Sequence, residues 1–300
     1  MSILITGASG YIGQHLCRTL YEKNLALRAF SRSPAPAHLR QIEWFQGSVT
    51  NPAEILEAAS GCRKIFHLAC LPMHVCAEQP RQALSTNVSG TINVLEAARQ
   101  VGAERVIYAS SGQVYGGQHD LPNRETDLPL PDSPYAVSKL NGEHWCQWFS
   151  QTHNLPVNIL RLFNVYGQTV DGVPRRTVET IFLQRLLFEQ TLRINGSPLS
   201  GRDFIHISDV INAFLLALVN DAGLEPVNIG SGTLTTLAEL AEIAAEVAGR
   251  APGEPEISEA NQPPVRFQAD THRARQKLGF KAIMKLYDGL NELKKDAIKI

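Results

Sequence analysis

Cysteine is scarce and falls in no ligand pattern. Cys17, Cys62, Cys70, Cys76 and Cys146 form no C-x-x-C pair, and their number is odd. That argues against a structural zinc site and a disulfide framework, and it fits a reducing cytoplasm. Charge of one sign is missing as well, with 28 Lys and Arg against 29 Asp and Glu. A chain of net charge −1 has no general attraction for nucleic acid or an anionic membrane, so local groups must hold any anionic ligand. No apolar run approaches the roughly 20 residues of a membrane span. Met1-Ser2 leads straight into a strand pattern, so no signal peptide is expected. Internal repeats and low-complexity tracts are absent. What remains is 300 residues, 44% of them apolar. That is enough to bury a sizeable core, as one large domain or two modest ones.

The chain is organised around its first stretch. Ile3-Leu4-Ile5 reads as a strand buried on both faces, Gly7, Gly10 and Gly13 follow, and a helical pattern continues through Ile12, Leu16, Leu20 and Leu25. A strand that passes through a glycine turn into a helix aims the helix's free N–H groups at whatever lies over the strand end, a ready site for a pyrophosphate. The spacing is G-x-x-G-x-x-G. Gly7 suits a tight turn, Gly10 close approach of a ligand to bare backbone, and Gly13 close packing of the helix. The alternative is a glycine-rich turn that binds nothing.

Apolar runs then alternate with helical patterns, which predicts βαβ units and a parallel sheet covered on both faces. Strands are expected over 26–30, 42–45, 64–69, 105–109 and 157–161, with helices over 52–59 and 77–102. The second strand ends at Ser31-Arg32, where a dinucleotide's adenosine ribose lies. A hydroxyl beside a guanidinium suits a 2′-phosphate, favouring NADP over NAD; the alternative is an exposed arginine in a Ser-Pro-Ala-Pro loop. His67, at a strand end, reads as a hydrogen-bonded packing residue. Asn87 needs a backbone partner if its helix face is buried.

Ser111 ends a central strand, where ligands gather in open α/β sheets. Ser133-Pro134 opens a helix carrying Tyr135 and Lys139, which share a face at i and i+4. A neighbouring ammonium is expected to lower the phenol's pKa, so that Tyr135 can exchange a proton with a substrate hydroxyl or carbonyl beside Ser111. Past residue 165 the alternation weakens. Helices are expected over 178–190 and 234–248, an N-cap at Ser208, a short strand over 227–229, and a Pro-rich segment from Pro252 to Pro264. His206 and Asp209 have a spacing a metal could use, but no third ligand accompanies them, so packing is the expected role and no metal is predicted.

These motifs, with His67-Leu68-Ala69, Asn87-Val88-Ser89-Gly90-Thr91, Val114-Tyr115-Gly116, Arg161 to Gly167, Arg202 to His206 and Asn228-Ile229-Gly230, resemble the NAD-dependent epimerase/dehydratase family of extended short-chain dehydrogenase/reductases. The resemblance implies a Rossmann-type doubly wound parallel sheet with a small C-terminal substrate lobe. Residues 1–165 and about 203–229 would form the dinucleotide-binding part, and 166–202 and 230–300 the lobe. It implies Tyr135 as acid/base, Lys139 on the nicotinamide ribose and Ser111 completing the triad. Gly7, Gly10, Tyr11, Ile12 and Gly13 would hold the pyrophosphate, with Ser31, Arg32, Ser48, Val49, Leu68, Ala69 and Asn87 along the rest of the cofactor. Asn164, Arg202 and Arg266 would hold a nucleotide-sugar diphosphate.

The departures are informative. Ser48 stands where the family usually has an acid. Gly112-Gln113 replaces the Asp-Glu pair of sugar 4,6-dehydratases, which disfavours that reaction. The UDP-clamping arginine run is replaced by Ala260-Asn261-Gln262-Pro263, with Arg266 nearby. The leading expectation is a nucleotide-sugar 4-epimerase. An NADPH-dependent keto-sugar reductase and a non-catalytic NAD(P) sensor remain the alternatives. A cytoplasmic homodimer, joined through the Tyr135 helix and the 77–102 helix, is a family-level expectation.

Overall fold

The computed structural model describes residues 2–117, 120–171, 175–251, 253–259 and 261–297. Its first six strands are β1 (Ser2–Thr6), β2 (Leu27–Ser31), β3 (Glu43–Gln46), β4 (Cys62–His67), β5 (Arg105–Ser111) and β6 (Val157–Leu162). Six short ones follow: β7 (Asn164–Tyr166), β8 (Arg193–Asn195), β9 (Gly201–His206), β10 (Val227–Ile229), β11 (Leu234–Thr236) and β12 (Glu256–Ser258). The early helices are α1 (Tyr11–Glu22), α2 (Pro52–Ala59), α3 (Met73–Glu78), α4 (Pro80–Ala83), α5 (Gly90–Gln100) and α6 (Pro134–His153). The later ones are α7 (Val178–Leu187), α8 (Ile207–Val219), α9 (Leu237–Ala248), α10 (His272–Leu278) and α11 (Leu286–Ala297).

Seven parallel strands form the main sheet in the order β10-β6-β5-β4-β1-β2-β3. The chain winds outward from β1 to β3, then crosses back to β4 and winds the other way. That reversal opens a crevice over the carboxyl ends of β1 and β4. Strands buried on both faces need apolar runs, and β1, buried from Ile3 to Thr6, has one in Ile3-Leu4-Ile5; β6 is buried throughout and offsets its Asn158 and Arg161 with hydrogen bonds and an ion pair. One face packs on α1, α8 and α10 around Leu16, Phe66 and Phe214; the other packs on α2, α5 and α6 around Leu4, Ile55 and Leu95. A third core, with Phe182, Leu240 and Leu290 at its centre, lies in a smaller lobe of α7, α9 and α11 against the β11-β9-β7 sheet. The doubly wound α/β architecture is therefore as the sequence predicted.

Three local expectations are corrected. The helix expected over 77–102 is broken: α3 ends before Pro80, whose ring cannot continue a helix, and a π-helical turn over Leu84–Ser89 precedes α5. The helix expected from Leu234 begins at Leu237, because Thr236 and Glu239 form a reciprocal capping box and the three residues before it pair with β9. The cap of α8 is His206 rather than Ser208: the imidazole Nδ1 accepts from the Ser208 N–H at 3.3 Å. The Pro-rich segment holds β12; Pro252 and Ala260 within it lie outside the described residues.

Candidate active site

A cavity of about 640 Å³ lies over the carboxyl ends of β1, β4 and β5. Of the residues proposed from sequence, Gly7, Gly10, Tyr11, Ile12, Gly13, Ser31, Arg32, Ser48, Val49, Leu68, Ala69, Ser111, Tyr135, Lys139, Asn164 and Arg202 line it. Asn87 and Arg266 do not.

The glycine turn is shaped by close backbone approach. Gly7 has φ +70°, and a Cβ there would meet Ala69 N at 2.7 Å. A Cβ on Gly13 would lie 2.3 Å from the Gly7 carbonyl oxygen, so α1 presses on the turn itself. At Gly10 a Cβ would meet only the Gly7 oxygen within 4 Å, which leaves bare backbone facing the cavity. The first-turn N–H groups of α1 have no acceptor within the helix and open on the same space, a fit for a diphosphate.

Ser133 caps α6 by accepting from Ala136 N at 3.3 Å, and Pro134 occupies the first turn, which sets where Tyr135 and Lys139 project. Tyr135 and Ser111 line the cavity together, and the Ser111 hydroxyl favours the ionised phenol. Lys139 is buried, and its Nζ donates to the Ala109 carbonyl at 2.7 Å while lying 5.9 Å from the Tyr135 ring centre. An ammonium has three donors, so the others remain for a ligand in the cavity it lines. The lowering expected from this ammonium does not prevail. Burial pushes the phenol well above the ordinary tyrosine range, Cys70 adds to that, and the Ser111 hydroxyl pulls it back.

His67 and Asn87 support the site from behind. Thr91 Oγ1 donates to the Asn87 carbonyl at 2.6 Å, so His67 Nε2 donates to Thr91 at 3.0 Å and Nδ1 accepts from Thr6 at 2.8 Å. Burial, with Lys139 nearby, lowers His67 to about 3 and keeps it neutral. Asn87, in the π-helical turn, accepts from Leu71 N at 2.7 Å and donates to Ser138 Oγ at 2.9 Å. It thus finds the backbone partner it required, and its amide is directed at α6 rather than at the cavity.

Among the described residues, the charged groups lining the cavity are Arg32, Lys139, Arg175, Arg202 and Asp203. Asp203 is spent internally, accepting from Ser231 N and Oγ, Gly232 N and Ala269 N at 2.6–3.1 Å. An almost neutral chain therefore concentrates four cations here, the requirement its overall charge set for anion binding. Arg202 lies 5.2 Å from the Phe267 ring centre and donates to the carbonyls of Gly201 and Val265 at 3.0 Å. Arg266 bridges to Gly201 and donates to the Leu199 carbonyl at 3.1 Å. Near Ser48 the carboxylate is Glu54, which accepts from Ser48 N at 2.7 Å. Sequence reasoning missed Arg175, Phe163 and Thr86 in the lining. No periodicity marks the stretch around Arg175. No group of three or more metal-ligating side chains occurs among the described residues.

The model of the NAD dependent epimerase/dehydratase family matches residues 3–230. A UDP-glucose 4-epimerase of Mycolicibacterium smegmatis is 31% identical over 97% of this chain and 96% of its own length. A dTDP-4-dehydro-6-deoxyglucose reductase of Escherichia coli is 29% identical over 97% and 96%. Among solved structures, the UDP-glucose 4-epimerase of Thermotoga maritima with UDP-glucose has a TM-score of 0.91 at 28% identity, covering 100% of this chain and 99% of that one. MoeE5 in complex with UDP-glucuronic acid and NAD has a TM-score of 0.88 at 32% identity, with the same coverage. Fold, cavity and likeness agree, and the chain belongs to the NAD-dependent epimerase/dehydratase family of enzymes.

Proposed function

We propose that this chain is an NAD-dependent nucleotide-sugar 4-epimerase acting on a UDP-hexose. The reading rests on one arrangement above all: Tyr135, with Ser111 and beside buried Lys139, faces a cavity whose free charges are cationic. Such a lining suits two diphosphates, one from a dinucleotide on the glycine turn and one from a nucleotide sugar near Asn164 and Arg202. Bound NAD would supply the hydride acceptor and donor, and its positive ring would favour the Tyr135 phenolate that burial disfavours. Tyr135 then takes the proton of the sugar 4-hydroxyl, and Ser111 steadies the oxygen through the 4-keto stage. The proton returns from Tyr135 once hydride has come back to the opposite face of C4, so no net oxidation occurs.

NAD is preferred to NADP because the relatives solved with cofactor hold NAD. In addition, the Ser31 hydroxyl is committed to the Ser33 carbonyl at 2.7 Å, leaving only Arg32 of the pair expected to favour a 2′-phosphate. That exposed Arg32, together with the reductase relative, favours the second reading, a keto-sugar reductase. A homodimer would use the outer face of α6, where Val137 and Trp148 are exposed. The test is to incubate the purified protein with UDP-glucose or UDP-glucuronic acid and no added cofactor. Formation of the 4-epimer, abolished in Tyr135→Phe while NAD stays bound, is the expected result. Consumption of NADPH on a 4-keto sugar with no epimer formed would replace this reading by the second.

A further inference from the structure

Two of the last three residues of β5 are gripped by α6, and the third, Ser111, shares the cavity with Tyr135. Lys139 Nζ donates to the Ala109 carbonyl at 2.7 Å and Ser110 Oγ donates to Glu143 Oε1, while the Ser111 hydroxyl acts on Tyr135 by lowering its pKa. Tyr135, Lys139 and Glu143 are spaced by four, so they form one stripe of the helix facing the strand end. Two of them belong to the site already described. The third, Glu143, does not line the cavity.

Glu143 is 1% exposed, and a carboxylate so placed must have its charge and lone pairs met. Arg161 of β6, 3% exposed, meets them with Nε to Oε1 at 2.9 Å and Nη2 to Oε2 at 2.7 Å. Its Nη1 donates to Tyr115 Oη at 2.8 Å, and that hydroxyl donates to Asn228 Oδ1 on β10 at 2.8 Å. One carboxylate thus fixes α6 to β5 and β6, and through Tyr115 to β10. Buried ion pairs are often replaceable by apolar residues without loss of stability, so cohesion alone does not account for this one. Gly142 removes any cushion at the same level, since a Cβ there would come within 2.1 Å of Tyr108 Oη. A helix held so closely at 142 and 143 cannot rotate or slide without moving Lys139 and Tyr135.

We propose that Glu143, held by Arg161, is a positioning residue of the reaction. It sets the rotation and axial position of α6 so that the Tyr135 phenol meets Ser111. The proposal rests on the reading of Tyr135 as the proton carrier. The charged and titratable groups facing Tyr135 are Lys139 on its own helix, Cys70 and Cys76 from the segment after β4, and Tyr108 of β5. Those around Glu143 are Arg161, Tyr108 and Cys146, with Glu125, His144 and Arg273 lining the cleft on its outer side.

The test compares Glu143→Gln and Ser110→Ala with the unaltered NAD-loaded protein, under conditions where melting curves show each to be folded. The expected result is unchanged NAD content and KM, with kcat lower by roughly 10- to 100-fold in Glu143→Gln and by several-fold in Ser110→Ala. The limb of the kcat–pH profile that belongs to Tyr135 should also move. A lower melting temperature with kcat per bound NAD and the pH limb both unchanged would overturn the proposal. A second readout needs no turnover. The phenolate absorption of Tyr135, isolated by subtracting the titration of Tyr135→Phe, should shift in Glu143→Gln, and an unmoved titration overturns the assignment. If the unaltered protein does not epimerise any UDP-hexose, the functional reading fails, and the phenolate titration still decides the role of Glu143. Should Glu143→Gln not fold, Ser110→Ala carries both measurements.

Discussion

The guanidinium carbon of Arg175 lies 4.0 Å from the centre of the Tyr11 ring. Tyr11 belongs to the glycine turn, whereas Arg175 precedes α7 of the smaller lobe and also donates to the Val165 carbonyl at 3.3 Å. One stacked cation therefore joins the two sides of the cavity that both residues line. A contact of this kind is worth about 1–2 kcal/mol when partly desolvated. Arg175→Ala should weaken NAD binding about ten-fold, as read by calorimetric titration. Arg175→Lys keeps the charge but loses the planar stack, and should recover only part of the loss.

The glycines of the turn should differ sharply from a glycine elsewhere. Gly13→Ala brings a Cβ against the Gly7 oxygen and Ala8 Cα, backbone atoms that cannot swing aside. Overpacking of this kind costs about 1–3 kcal/mol, and cofactor binding should fail with it. Gly61 has φ +72° but nothing within 4 Å of a Cβ, so Gly61→Ala should cost only the left-handed backbone term, about 1 kcal/mol, and spare NAD binding. Denaturant unfolding and NAD titration of the two variants check this contrast.

His67 predicts how stability depends on pH. Its pKa falls from 6.5 when unfolded to about 3 when folded, because burial penalises the charged ring. Above pH 6.5 the ring is neutral in both states and contributes no pH dependence. As the pH falls below that value the unfolded chain takes up a proton that the folded one refuses. Stability should then drop by about 1.4 kcal/mol per pH unit, down towards the folded pKa. His15 and His206, also lowered by burial, act in the same direction. Glu179 and Asp203, raised by burial, act in the opposite one, but only once the pH approaches the carboxylate range. Melting temperatures measured between pH 7.5 and 5.5 should therefore fall, and in His67→Gln the slope should shrink by about one proton.

Asp203 should be intolerant of even an isosteric change. Its two oxygens accept from three backbone N–H groups and one hydroxyl drawn from β10's exit and residue 269. In Asp203→Asn the amide NH2 must face donors, whichever way it is turned. Each buried donor left without an acceptor costs about 1–3 kcal/mol. The loss should appear as a lower melting temperature.

What could be read in the sequence was what local spacing encodes. The glycine turn, the alternating strands and helices, the Ser133-Pro134 helix start and the i, i+4 pair of Tyr135 and Lys139 each involve residues close in the chain. Glu143, four residues further along the same stripe, was equally available from spacing. Its meaning was not, because Arg161 comes from another strand and a carboxylate alone does not announce its partner. Arg175 lay in a stretch without periodicity, and its stack on Tyr11 spans the whole distance from turn to lobe. The effect of Lys139 on Tyr135 was misjudged for a related reason: spacing reveals a neighbouring charge, but only packing reveals how thoroughly water is removed.

The edge of the main sheet has a consequence for how the protein must be made. β10 covers β6, yet the chain builds β7 to β9, α7 and α8 in between. On the ribosome, β6 emerges long before its cover, presenting the edge of a strand, Val157–Leu162, that is buried at every position in the finished fold and whose last three residues pair with β10. An uncovered strand of that kind pairs readily with other chains. A fragment ending before Val227 leaves that edge open and should aggregate more readily than the full chain.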